Sequence, residues 1–270
     1  MGVHQNSQTW HSTALNIAKW IKCVMKEHNL NTIFFGGDVF HDRHEIGVNT
    51  LHVAKKFFDE LDEFDIHMIP GNHDAFLSST VEINSIEILE RTNVKVYSVP
   101  TTLLVGEKRV TFCPWKTDTS SLEQADMLLG HFHCRDHRIY EDRYVLYLGS
   151  PYEMDFGDRG QPKGVSIISF DNLNDIQFVE NTISPKHYRL KISDLIDKKY
   201  SNLSDLVKGN IVSIYVDIKI DTLTLDMLIT KLTQYGPLQF RTEFNILDDA
   251  QIDTKEVKKL SIDIETAFHE

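Results

Sequence analysis

Cysteine is scarce in this chain. Three residues, Cys23, Cys113 and Cys134, are too few and too scattered for a disulfide framework, so reduced thiols with structural roles are expected. No apolar run approaches the roughly twenty residues of a membrane span, and the residues after Met1 lack the basic and apolar regions of a signal peptide. The cytoplasm is the expected location. Positive charge is in deficit, with 28 Lys and Arg against 40 Asp and Glu and a net charge of -12. That excludes a broad basic surface that holds nucleic acid by phosphate contacts alone, so any DNA contact must be local and assisted by metal ions or a partner. Internal repeats and low-complexity tracts are also missing.

What is present suffices for a folded protein: 270 residues, 41% of them hydrophobic, allow one full-sized domain and a smaller one. Residues 12–28 place Leu15, Ala18, Ile21, Val24 and Met25 at helical spacing, and a second helical pattern carries Leu51, Ala54, Phe57, Phe58 and Leu61. Between and after these helices come two short apolar runs, "TIFFGGD" and "IHMIPGNHD", each ending in a glycine turn and polar residues. Residues 82–91 are expected to be helical. A succession of strands follows, "VKVYSV", "TLLV", "RVTFCPW", "DMLLGHFH", "YVLYLGS" and "GVSIISF". This alternation predicts an α/β layered domain whose working loops leave the carboxyl ends of strands. Beyond Ser184-Pro185 the segments "NIVSIYVDIKI", "TLTLDMLITKLTQY" and "LQFRTEFNI" predict a small β-α-β unit, and the charged end a solvated helix or docking tail.

Three clusters carry the chemistry. Asp38 follows a strand through Gly36 and Gly37, which leave room for something to approach the backbone. Asn72, His73 and Asp74 follow Gly71 directly after a second strand. His131 and His133, two apart at the end of a third strand, put both imidazoles on one face. Together these make a mixed oxygen and nitrogen ligand set that suits manganese, iron or zinc in a hydrolytic centre, and differs from the thiolate-rich set of structural zinc. Two rival arrangements are a structural zinc site of His131, His133, Cys134 and His137, and recruitment of His4 or His11 as extra ligands.

The motifs G-D-x-x at 37–40, G-N-H-D at 71–74 and G-H-x-H at 130–133 resemble those of the calcineurin-type metallophosphoesterases. "GDVFHDR", "FCPW" and "YLGSPYEMDFGD" narrow the resemblance to the SbcD-type nuclease subunits, phage recombination endonucleases included. It implies a layered metallophosphoesterase β-sandwich flanked by helices over residues 1–184, a β-α-β capping domain over 185–247, and a tail over 248–270 that docks on a partner. It also implies a DNA exo/endonuclease of recombination and repair with two divalent ions, Mn2+ for preference. Asp38 would bridge the ions, Asn72, His131 and His133 would ligate them, and His73 would face the scissile phosphate with its ring held by Asp74. His41 and Arg43 would reach substrate. The implied partners are DNA, an SbcC-type SMC-like ATPase and a second copy of the chain, in the cytoplasm of a cell or of an infected host. Against the family pattern, the chain as given lacks the D-x-H motif expected ahead of Met1, and "ADMLLGHFHCRD" stands where two strands are expected, so that His131 can correspond to either of two family histidines. An incomplete second metal site and weak nuclease activity are expected on that count. The alternatives are a phosphatase or nucleotide phosphodiesterase on the same fold, and a non-catalytic remnant that binds DNA or an ATPase.

Overall fold

The computed structural model describes residues 1, 7–118, 125–130, 135–140, 143–173 and 175–244. The chain divides into two compact units, Met1–Tyr152 with Pro162–Ser184, and Glu153–Gln161 with the residues from Pro185 onward.

In the first unit, helix α1 (Gln8–Glu27) buries Trp10, Ala14, Ile17, Ala18, Ile21, Val24 and Met25, a stripe at the three- and four-residue spacing of a helix face. Helix α2 (Val48–Glu60) buries Val53, Ala54, Phe57 and Phe58 in the same way. Strands β1 (Thr32–Phe35), β2 (Asp65–Met68) and β5 (Val94–Val96) form a parallel sheet in the order β1-β2-β5. Phe35 meets Phe57 and Phe58 of α2 at ring distances of 5.9 and 5.5 Å, so helix and sheet share one apolar layer.

The second sheet has the order β6-β7-β8-β10-β9, from β6 (Thr101–Val105), β7 (Lys108–Cys113), β8 (Met127–Gly130), β9 (Asp136–Tyr140) and β10 (Arg143–Tyr147). Its three central strands are parallel and its two edges antiparallel. Ile69, Val110, Phe112, Met127, Leu129, Leu146 and Leu173 form the core on this sheet. Phe34 of β1 meets Phe112 at 5.2 Å, which closes the two sheets into a sandwich. Each such fully buried side chain stabilises the unit by about 1.5–3 kcal/mol. A hairpin of β11 (Gly164–Ile168) and β12 (Ile176–Glu180) completes the unit.

The structure corrects one expected element. Residues 82–91 are not a helix: β3 (Ala75–Leu77) pairs with β4 (Thr80–Asn84), and only Ser85–Leu89 coil, as a 3-10 turn. Thr80, Val81 and Ile83 are β-branched and favour the strand, and the isoleucines that suggest helical spacing are split between the two elements.

The second unit holds a parallel sheet β13-β14-β15 from β13 (His187–Lys191), β14 (Ile211–Val216) and β15 (Gln239–Phe244), with α3 (Ile192–Ile196), α4 (Leu203–Val207) and α5 (Thr222–Gln234). One sheet face, Leu190, Val212, Ile214 and Val216, packs on Leu225, Leu228 and Leu232 of α5. Asp221 caps α5 by accepting the Thr224 N–H at 3.0 Å. Segment 153–161 is pinned to β13: buried Glu153 accepts the His187 N–H at 2.6 Å, pairs with the His187 ring at 3.1 Å and accepts the Gly160 N–H at 3.2 Å. Among the described residues no helix is long and apolar enough to cross a membrane.

Candidate metal centre

The site is assembled where β1 and β2 end side by side, with Phe35 opposite Met68. After β1 the chain turns through Gly37 and Asp38, both left-handed at φ +92° and +54°. A Cβ on Gly37 would lie 2.3 Å from the Gly71 nitrogen and 2.7 Å from the Ile69 carbonyl oxygen, so the loops after β1 and β2 touch backbone to backbone and only glycine fits. A left-handed aspartate costs about 1 kcal/mol, which the surrounding bonds offset.

Those bonds run both ways between the loops. Asp38 Oδ1 accepts the His73 N–H at 2.8 Å. In return Asp74, buried at 1% exposure, accepts the Asp38 N–H at 2.6 Å and the Gly71 N–H at 3.0 Å on Oδ2, and the Phe40 N–H at 3.3 Å on Oδ1. Burial pushes the Asp74 carboxyl above its ordinary value; the Gly71 N–H pulls it down, the charge of Asp38 pushes it up, and the other two amides pull it down.

Asp74 therefore works on the backbone, and the orientation of His73 expected of it falls to a neighbour. His73 Nδ1 lies 2.7 Å from the carbonyl oxygen of His41. A carbonyl only accepts, so Nδ1 is the nitrogen that carries the proton in this contact. The His41 ring stacks on the His73 ring at 5.3 Å and 15°. Three backbone amides converge beneath the turn and draw the carboxylate there, which no side-chain spacing announces. Arg43 is half-buried in the same loop, whose bend is set by Asp42 Oδ1 accepting the His44 and Glu45 N–H groups.

The second sheet joins through its central strands: the Trp115 N–H donates to the Pro70 carbonyl at 3.1 Å, and Cys113 stands opposite Gly130, the last residue of β8. His131, His133 and Cys134 come next and lie outside the described residues. So does His4. His11 is buried between helices, its Nδ1 beside the Asn49 amide at 3.1 Å and its Nε2 beside the Thr50 hydroxyl at 3.4 Å, so both nitrogens are used and it is no replacement ligand. His137 stacks on Tyr144 at 5.7 Å. Cys113 is a buried free thiol whose pKa burial pushes up to about 11, which keeps it an inert packing group.

Residues 10–181 match the family described as calcineurin-like phosphoesterase. The chain belongs to that family. This phosphoesterase is also 24% identical over 251 residues, 74% of either chain, to "Exonuclease subunit 1" of Enterobacteria phage T4. A calcineurin-like phosphoesterase works with divalent metal ions. Among the described residues no three His, Cys, Asp or Glu side chains are gathered as a metal site. The described donors, the Asp38 carboxylate and the Asn72 amide on adjoining strand-end turns, are nevertheless the hard oxygen ligands that such ions take, and the glycine contact at Gly37 brings those turns within reach of one centre.

Proposed function

We propose that this chain is the nuclease subunit of a DNA-processing assembly and hydrolyses phosphodiester bonds with two divalent ions, preferably Mn2+. One observation carries the reading. The carboxylate of Asp38 accepts the backbone N–H of His73, whose imidazole is held by the His41 carbonyl, so a residue fit to hold metal and a residue fit to move a proton share one corner. The name of the phage relative, an exonuclease subunit, supports DNA as substrate and an assembly as context.

In this reading Asp38, Asn72, His131 and His133 would hold the two ions. Bound divalent ions would supply Lewis acidity at the phosphate and lower the pKa of the attacking water. His73 presents Nε2 to the phosphate, because Nδ1 is committed to His41, and as imidazolium it stabilises charge or protonates the leaving oxygen. Asp74 keeps the two turns in register, and His41 and Arg43 line the approach of substrate. The β13-β14-β15 unit acts as the capping domain that orients a duplex, and the residues after it dock an SMC-like ATPase. A second copy of the chain would pair two such subunits.

The test uses end-labelled linear duplex and p-nitrophenyl phosphate as competing substrates in Mn2+. Degradation of the duplex, lost in EDTA and in Asp38→Ala, is expected. Turnover of the nitrophenyl ester with DNA left intact would make the chain a phosphatase, and absence of Mn2+ binding by calorimetry would make it a non-catalytic binding subunit.

A further inference from the structure

The turn that carries His73 runs straight into β3, and there the usual alternation of a strand fails. Ala75 is fully buried, but the next two residues both stand outward, Phe76 at 48% and Leu77 at 46% exposure. The cause is a break in register between Ala75 and Leu77 against β4, a bulge that re-aims side chains beside a working turn. The edge of the His44 ring meets Phe76 at 6.0 Å and 80°. Three residues earlier on both strands of chain, His41 stacks on His73. Two ring contacts thus zip loop 41–45 to residues 73–76 and leave a large apolar face open next to the proton-bearing histidine.

We propose that Phe76, steadied by His44, is a nucleobase platform: the base next to the reacting phosphodiester stacks on its ring and sets that phosphate against His73. The inference rests on the nuclease reading above and adds what selects a polynucleotide. With a net charge of -12 the chain cannot hold DNA by phosphate contacts over a wide surface, so an apolar contact to a base adds affinity that the overall charge does not supply. Stacking accepts every base, because each has a π-face, and so the platform confers no sequence preference. Leu77 and Ile83, which is 65% exposed on β4, are further exposed apolar side chains of the same hairpin.

The experiment compares single strands that carry bases with strands of the same length carrying abasic sites, in Mn2+, for the wild type, Phe76→Ala and Phe76→Trp. For base-bearing strands Phe76→Ala should lower kcat/KM about tenfold, Phe76→Trp should restore it, and abasic strands should not distinguish the three. A terminal 2-aminopurine, read without cleavage in EDTA, should be quenched by the wild type and by Phe76→Trp but not by Phe76→Ala. Equal loss on abasic strands, or quenching indifferent to Phe76, overturns the proposal. So does a change of oligomeric state in Phe76→Ala by sedimentation with both substrates equally affected, which would make the hairpin a protein contact. If the wild type leaves DNA intact yet quenching depends on Phe76, the nuclease reading fails and the platform stands.

Discussion

The β1-β2-β5 sheet of the first unit and the β13-β14-β15 sheet of the second share strand number, parallel sense and a covering helix, but they dispose of their acidic residues differently. In the second unit three carboxylates near the sheet are engaged in structure. Asp217 accepts the Ser193 N–H at 3.1 Å and its hydroxyl at 2.5 Å, Glu243 pairs with Arg189 and Arg241, and Glu153 holds His187. In the first unit buried Asp74 ties the backbones of two strand-end loops together, and the left-handed Asp38 at their junction accepts the His73 N–H. A parallel sheet provides loops at its carboxyl ends; a glycine contact and one buried acid turn such loops into a site.

The largest effect expected from this contrast is on catalysis. Asp38→Ala should lower hydrolysis of any phosphodiester about a thousandfold or more, with circular dichroism unchanged, because in the proposed function it removes a carboxylate that would hold the ions. Asp217→Ala should leave turnover within about twofold of wild type and reduce stability by about 1 kcal/mol in urea melts, through the lost anchor of α3. Equal turnover in the two variants would erase the distinction.

Glycine sharpens the comparison at the next level. Gly37→Ala drives a Cβ into the Gly71 backbone and should cost about 3 kcal/mol or more together with activity. Gly209→Ala, also left-handed at φ +68° but with nothing within 4 Å, should cost only about 1 kcal/mol. Matching losses would show that the Gly37 contact is not tight in solution.

The smallest effect separates the units by pH. Burial holds the pKa of His11 below 6.5, and its Nδ1 accepts from Asn49 only when neutral, so its contribution is complete above that value and is lost as pH falls through it. Burial alone would raise the Glu153 carboxyl, but the His187 ring and amide and the Gly160 amide outweigh it and hold the pKa below 4.5, so that contribution is complete above 4.5 and lost only at lower pH. Hydrogen exchange between pH 7 and about 5.5 should therefore show the α1–α2 contact loosening by less than about 1 kcal/mol while β13 keeps its protection. Loosening of both together, or none in α1, would contradict this.

Much of the first unit was legible in the sequence because its signals are local. Helical stripes in α1 and α2, and the glycines after β1 and β2, each declare themselves within a few residues. The same locality located Asp38 and Asn72-His73-Asp74 as strand-end residues. Other features depend on partners far along the chain. Asp74 reads as a histidine's orienter, yet its amide partners reach back 36 residues to Asp38, and the carbonyl of His41 that holds His73 has no sequence signature. Strands β9, β12 and β13 escaped because their polar residues mask the alternation. Glu153 and His187 look like unrelated polar residues until β13 brings them together across 34 positions.

The route of the chain has a consequence at the ribosome. It enters the second unit at Glu153, returns to the first at Pro162 and leaves it again after Ser184. Segment 153–161 thus emerges long before the strands that receive it. At roughly 5–20 residues per second, Phe156, destined to lie under the guanidinium of Arg241 at 3.9 Å, waits about 4–18 s for β15 to be made. During that interval the β11–β12 hairpin can close, since both its strands are complete by Glu180. The first unit is thereby set to finish early and the second late, with one short nascent loop, Phe156 near its centre, held over between them.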